Sequence, residues 1–125
     1  MDIIYTTNAP DAIGPYSQAI RQGNLVFTSG QIALNPVTGT VEATDIAGQT
    51  KQVMANLKAV LEAAGTDFSH VVKTTCYLKD VANDFGAFNT VYAEALGDAK
   101  PARSCVGVAD LPKGALVEVE MIAMV

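Results

Sequence analysis

Apolar positions along this chain switch between two periods, and the switches mark out strands and helices. From Asp45 to Ala64, the residues Ile46, Val53, Leu57, Val60, Leu61 and Ala64 fall on one face of a helix, and Gly65 follows as a stop. Phe85, Phe88, Tyr92 and Leu96 define a second helix, which Asn83 or Asp84 would cap and Gly97 would end. Elsewhere the period is two. Val71 to Leu78, Ala102 to Val108 and Ala115 to Val125 read as strands. Ser17 to Arg21 and Leu25 to Ser29 read as a hairpin turning at Gln22-Gly23-Asn24, with Ile3 to Tyr5 as a short apolar start. Ala9 to Tyr16, Leu34 to Gly39 and Asp110 to Gly114 carry the prolines and glycines of loops. Strands before and after each helix predict an α+β fold, a single mixed sheet of about six strands with two helices on one face. The other sheet face then needs a cover, which points to self-association.

Composition narrows the function. The 125 residues predict one domain, 1–125, long enough for a real core. The formal charge is −5 and no basic run is visible, so no nucleic-acid partner is expected. Half of the residues are hydrophobic, 17% are charged, and the mean hydropathy is +0.25. That is apolar for a small chain, again predicting surface buried in an oligomer. No apolar run reaches membrane-span length, and the opening MDIIYTTNAP lacks the basic and apolar blocks of a signal peptide. The expectation is a cytoplasmic protein with no membrane partner, whose Cys76 and Cys105 are free thiols.

Candidate chemistry centres on Pro101-Ala102-Arg103-Ser104-Cys105-Val106-Gly107-Val108. Alternation puts Arg103, Cys105 and Gly107 on one strand face. A guanidinium among small and apolar residues needs an anion, and its planar fork suits a carboxylate. That carboxylate is either a structural Asp or Glu at an interface or part of a ligand. On the last strand, Glu118 and Glu120 share a face with Leu116, Ile122 and Met124. They form a solvated strip, or one of them enters a cleft and moves protons. Burial would raise the pKa of Glu118 and a neighbouring Arg103 would lower it. Tyr16, after Gly-Pro in a loop, covers the core or packs over a ligand. The lone His70 would need to reach Cys105 to form a nucleophile pair. No Cys or His spacing suits a metal, and no phosphate-binding glycine loop or G-x-S-x-G is present.

Taken in order, Gly14-Pro15-Tyr16-Ser17-Gln18-Ala19, Ser29-Gly30-Gln31-Ile32, Val72-Lys73-Thr74-Thr75, Pro101 to Val106, Leu111-Pro112-Lys113 and Val117-Glu118-Val119-Glu120 resemble the RidA family, also called the YjgF/YER057c/UK114 family. The resemblance covers residues 9 to 123 and is specific in combination. The arginine motif with its following cysteine resembles the branch that deaminates. Gly107 and Asp110 stand where relatives vary, which leaves substrate preference open.

The resemblance implies a chorismate-mutase-like (bacillus-type) fold assembled as a homotrimer, with active sites in clefts between subunits. It implies hydrolysis of reactive enamines and imines released by pyridoxal-phosphate enzymes. These are 2-aminoacrylate/2-iminopropionate, giving pyruvate and ammonia, and 2-iminobutanoate, giving 2-oxobutanoate. Arg103 and Glu118 would be the catalytic pair, Arg103 holding the substrate carboxylate and Glu118 positioning water. Tyr16, Cys105, Ser29, Gly30 and Asn89 would line the substrate pocket, although Asn89 serves equally well as a structural hydrogen-bonding group. Cys105 is not expected to be a covalent nucleophile, because an imine with a free water needs none. No cofactor and no metal are implied. Two other readings stay open: a non-catalytic 2-oxo-acid-binding or stress-response module, and the endoribonuclease or translation-inhibitor role attached to some relatives.

Overall fold

A computed structural model describes all 125 residues. Six strands form one mixed sheet: β1 (Asp2–Ile4), β2 (Ala19–Gln22), β3 (Leu25–Thr28), β4 (Val71–Leu78), β5 (Ala102–Gly107) and β6 (Val117–Met124). Their spatial order is β1-β2-β3-β6-β4-β5. The hairpin β2–β3 closes with Gln22 opposite Leu25, and Gly23 takes a φ of 62° in the two-residue turn. Both β3 and β4 run antiparallel to β6, so they are parallel to each other, and β5 lies parallel to β4. Parallel neighbours need crossovers, and the two helices supply them. Helix α1 (Ile46–Ala63) carries the chain from β3 to β4, and helix α2 (Val81–Leu96) from β4 to β5.

The helices cover one face of the sheet. Val53, Leu57, Val60 and Leu61 of α1 meet Val117, Val119, Met121 and Ala123 of β6 in a single apolar cluster. Phe88 of α2 is fully buried there, 5.4 Å from the Tyr92 ring centroid to centroid. Phe88→Ala is expected to cost about 3–5 kcal/mol of stability, read as a lower urea midpoint; an unchanged midpoint would overturn this account of the core. Across the sheet, no helix lies over Glu118, Glu120, Ile122 and Met124, which are half-buried in alternation with the buried residues of β6. Tyr77 spans this open face, its hydroxyl donating to Glu120 Oε1 at 2.6 Å.

Two local expectations change. Helix α2 starts earlier than expected, and its cap is Asp80, not Asn83 or Asp84: the Asp80 carboxylate accepts from the Asn83 N–H at 3.2 Å. Several strands are also shorter. The last begins at Val117 because the turn Pro112–Gly114 occupies the preceding residues, with Lys113 in the left-handed region at φ 57°. No helix is long and apolar enough to cross a membrane.

Candidate functional site

Arg103 sits on edge strand β5, opposite Thr74 of β4 and therefore on the helix-covered face. Because β4, α2 and β5 form one crossover, α2 passes alongside this arginine. Phe85, Asn89 and Tyr92 are spaced four and three apart on α2 and present one stripe toward it. The guanidinium carbon lies 4.9 Å from the Tyr92 ring centroid and 5.6 Å from that of Phe85. Nη1 donates to Asn89 Oδ1 at 2.7 Å. Tyr92 is itself fixed by a 2.7 Å hydroxyl contact with Thr74. The arginine is thus held by two rings and an amide oxygen, and none of the ion pairs in the chain involves it. It borders a groove of about 520 Å³ between α2 and the start of β5.

Glu118 lies on the opposite face of the sheet, in a cleft of about 470 Å³ that also includes Tyr16, Ser29, Gly30, Gln31 and Lys113. Gln31 exchanges backbone hydrogen bonds with Val119 at 2.9 and 3.1 Å, which draws residues 29–31 against β6. Gly30 then rests on the Glu118 side chain. A Cβ at Gly30 would lie 2.5 Å from Glu118 Oε2, so only glycine lets the carboxyl group occupy this position. Burial, followed by repulsion from Glu120, pushes the Glu118 pKa above the ordinary carboxylate range. The sign left open by the sequence is therefore upward. Arg103 does not oppose the shift, because the sheet separates the two residues. The Ser29 hydroxyl donates to Ser17 O at 2.5 Å and belongs to the cleft wall.

The expected site residues fall into two groups on one chain. Arg103, Asn89 and Cys105 belong to the helix-covered face, and Glu118, Gly30, Ser29 and Tyr16 to the open face. Cys105 pairs in register with Cys76, and both thiols are free. Burial raises the Cys105 pKa more than Arg103 lowers it, so the thiol stays protonated at neutral pH. Burial pushes Cys76 up to about 12. His70 ends the short turn before β4 and contacts Asp67 and Ser69. Cys105 aligns with Cys76, six residues further along β4, or about 20 Å away. A Cys–His pair within one chain is therefore excluded. From the sequence, Phe85 and Tyr92 served only to mark the second helix. Their spacing with Asn89 on one stripe was the available signal for a guanidinium platform.

The fold defines a small α+β protein with an arginine unpaired with any carboxylate at a sheet edge and, in a cleft on the other face, a carboxyl group whose pKa is raised by burial. The family model described as Endoribonuclease L-PSP matches residues 6–125. A RutC family protein of Pyrococcus horikoshii is 54% identical over 122 residues, covering 98% of this chain and 96% of that protein. The 2-iminobutanoate/2-iminopropanoate deaminase of Escherichia coli K12 is 49% identical over 124 residues, covering 97% and 95%. Among solved structures, the YjgF gene product of Escherichia coli superposes with a TM-score of 0.94 at 47% identity, covering 99% of this chain and 98% of that one. Escherichia coli TdcF with bound serine gives 0.95 at 42% identity, covering 100% and 99%. The chain belongs to this family, the RidA/YjgF family.

Proposed function

We propose that this protein hydrolyses 2-imino acids and their enamine tautomers to 2-oxo acids and ammonia, acting on 2-iminopropionate and 2-iminobutanoate. The observation that carries this reading is the Arg103 guanidinium, oriented by Asn89, Phe85 and Tyr92 yet paired with no carboxylate of the protein. A rigid fork left open at a groove fits the carboxylate of a small acid. The identity to the Escherichia coli deaminase supports the same substrate class.

In this mechanism, Arg103 binds the substrate carboxylate through two parallel hydrogen bonds and fixes the imine carbon. Water adds to that carbon, and Glu118 positions the water and takes its proton. Transfer of that proton to the imine nitrogen gives the carbinolamine, and its hydroxyl proton then passes through Glu118 to the amine, so that ammonia leaves and the carbonyl forms. Glu118 and Arg103 of one chain lie on opposite faces of the sheet, so the two halves acting together come from different copies. This supports a homotrimer with sites between subunits, in which the open face is covered. Cys105 contributes as a protonated thiol or through its backbone, not as a thiolate.

The reading is tested by generating the imine from serine or threonine with a pyridoxal-phosphate dehydratase in the presence of semicarbazide. Restored keto-acid formation is expected; a folded protein without effect would favour a 2-oxo-acid-binding module. RNA cleavage is disfavoured by the −5 charge and the lack of a basic run. Gly30→Ala probes the carboxyl seat. The added Cβ cannot coexist with Glu118 in place, so turnover is expected to fall by about 10²-fold with the thermal midpoint retained. Full turnover in that variant would show that the seating of Glu118 has no bearing on rate.

A further inference from the structure

Residues 5–18 join β1 to β2, carry Tyr16, and contain no helix or strand. Such a connection keeps one shape only if its backbone polar groups find partners. Much of that partnering comes from one side chain, Gln18, which is 2% exposed. Its Oε1 accepts from the Thr6 N–H at 2.7 Å. Its Nε2 donates to Pro10 O at 2.8 Å and Thr6 O at 3.0 Å, with Ala9 O at 3.4 Å. The same two-residue stretch is tied to the end of β3, because Gln18 O accepts from the Ser29 N–H at 2.9 Å and Ser17 O from the Ser29 hydroxyl at 2.5 Å. Tyr16 leads directly into this clamp. Its N–H donates to Gly14 O at 2.8 Å, and its ring folds back so closely that a Cβ at Gly14 would lie 3.1 Å from Cε1.

We propose that Gln18 is a positioning residue: its carboxamide locks the 5–18 connection and thereby sets the Tyr16 ring at the Glu118 cleft, controlling substrate affinity and not the chemical step. Only a carboxamide offers two donors to the carbonyls and an acceptor to the Thr6 N–H from one planar group. The kinetic part of this proposal rests on the deaminase reading; the positioning part does not.

The test uses Gln18→Met, which fills the space without the hydrogen bonds, together with Gln18→Glu, which keeps the acceptor for Thr6. Nuclear magnetic resonance on the full chain is expected to show faster exchange of the Thr6 amide and loss of the Gly14–Tyr16 ring contact in Gln18→Met. In Gln18→Glu, Thr6 protection is expected to persist while the ring contact weakens. In the imine assay, KM is expected to rise about tenfold with kcat unchanged. On a Tyr16→Ala background, Gln18→Met is expected to change KM no further, since both substitutions remove the same contact. A ring contact that survives both substitutions, or a KM effect that simply adds to that of Tyr16→Ala, overturns the proposal. If Gln18→Met does not fold, Gln18→Glu carries the same measurements. If the unmodified protein hydrolyses no imine, the deaminase reading fails, and the Gly14–Tyr16 contact still decides whether Gln18 positions the ring.

Discussion

Arg103→Ala is expected to eliminate measurable imine hydrolysis while leaving the fold intact. Each hydrogen bond to a charged partner contributes about 1.5–3 kcal/mol. Losing a bidentate pair therefore removes about 10²–10⁴-fold from kcat/KM. Orientation suffers as well, because the carboxylate grip is what places the imine carbon beside water. The side chain is exposed on an edge strand, and its hydrogen-bonding partner Asn89 is half-buried and outside the core cluster, so little core packing depends on it. Arg103→Lys should recover part of the affinity, since an ammonium supplies charge without the fork. The check is the coupled keto-acid assay alongside circular dichroism. An undiminished rate in a folded Arg103→Ala protein would remove the arginine from the mechanism.

Glu118→Gln is expected to lower kcat by about 10²–10⁴-fold, the usual contribution of a positioned acid or base, with KM near that of the parent. The pH dependence provides a second readout. With its pKa raised by burial and by Glu120, Glu118 ionises later than an ordinary glutamate. As a base it must be ionised, so the rising limb of kcat/KM should lie above the ordinary carboxylate range and disappear in the Gln variant. Stability has the opposite sign. A raised folded-state pKa means that the folded form disfavours the carboxylate. The stabilising contribution is full below the unfolded pKa and is lost as pH rises through the folded one. At neutral pH, Glu118→Gln should therefore melt no lower than the parent. A drop in its thermal midpoint would show that the carboxylate serves the fold, and a retained rising limb would assign the base to another group.

How much of this was legible can be judged from individual elements. The extent of α1 and β4 followed from apolar period, with Gly65 marking the end of the helix, because both elements bury one face against the same core. The placement of Arg103, Cys105 and Gly107 on one strand face held for the same reason: Arg103 packs by α2, Cys105 against the core, and a Cβ at Gly107 would meet Val81. The start of α2 was misplaced despite a local signal, since Asp80 stands three residues before Asn83 and just ahead of an apolar series that begins at Val81. The partners of Arg103 left only a spacing signal on α2, with nothing to tie that stripe to the arginine. A carboxylate was the natural candidate, and the structure supplies an amide oxygen and two rings that reach it only because the β4–α2–β5 crossover lays α2 alongside β5.

By itself the sequence determined the number and kind of elements, the faces of the long strands, and the residue types from which the chemistry is built. Those properties depend on local spacing and on side-chain chemistry, both of which are written along the chain. Tertiary structure alone decided that Arg103 and Glu118 stand on opposite sides of the sheet, that Gly30 exists to admit the Glu118 carboxyl group, and that Gln18 holds the connection bearing Tyr16. The first two depend on strand order and register, in which β6 inserts between β3 and β4 and brings distant residues within ångströms, and the third on the chain between β1 and β2 folding back over Gln18. Contacts between segments far apart in the chain leave no periodic trace in a single sequence.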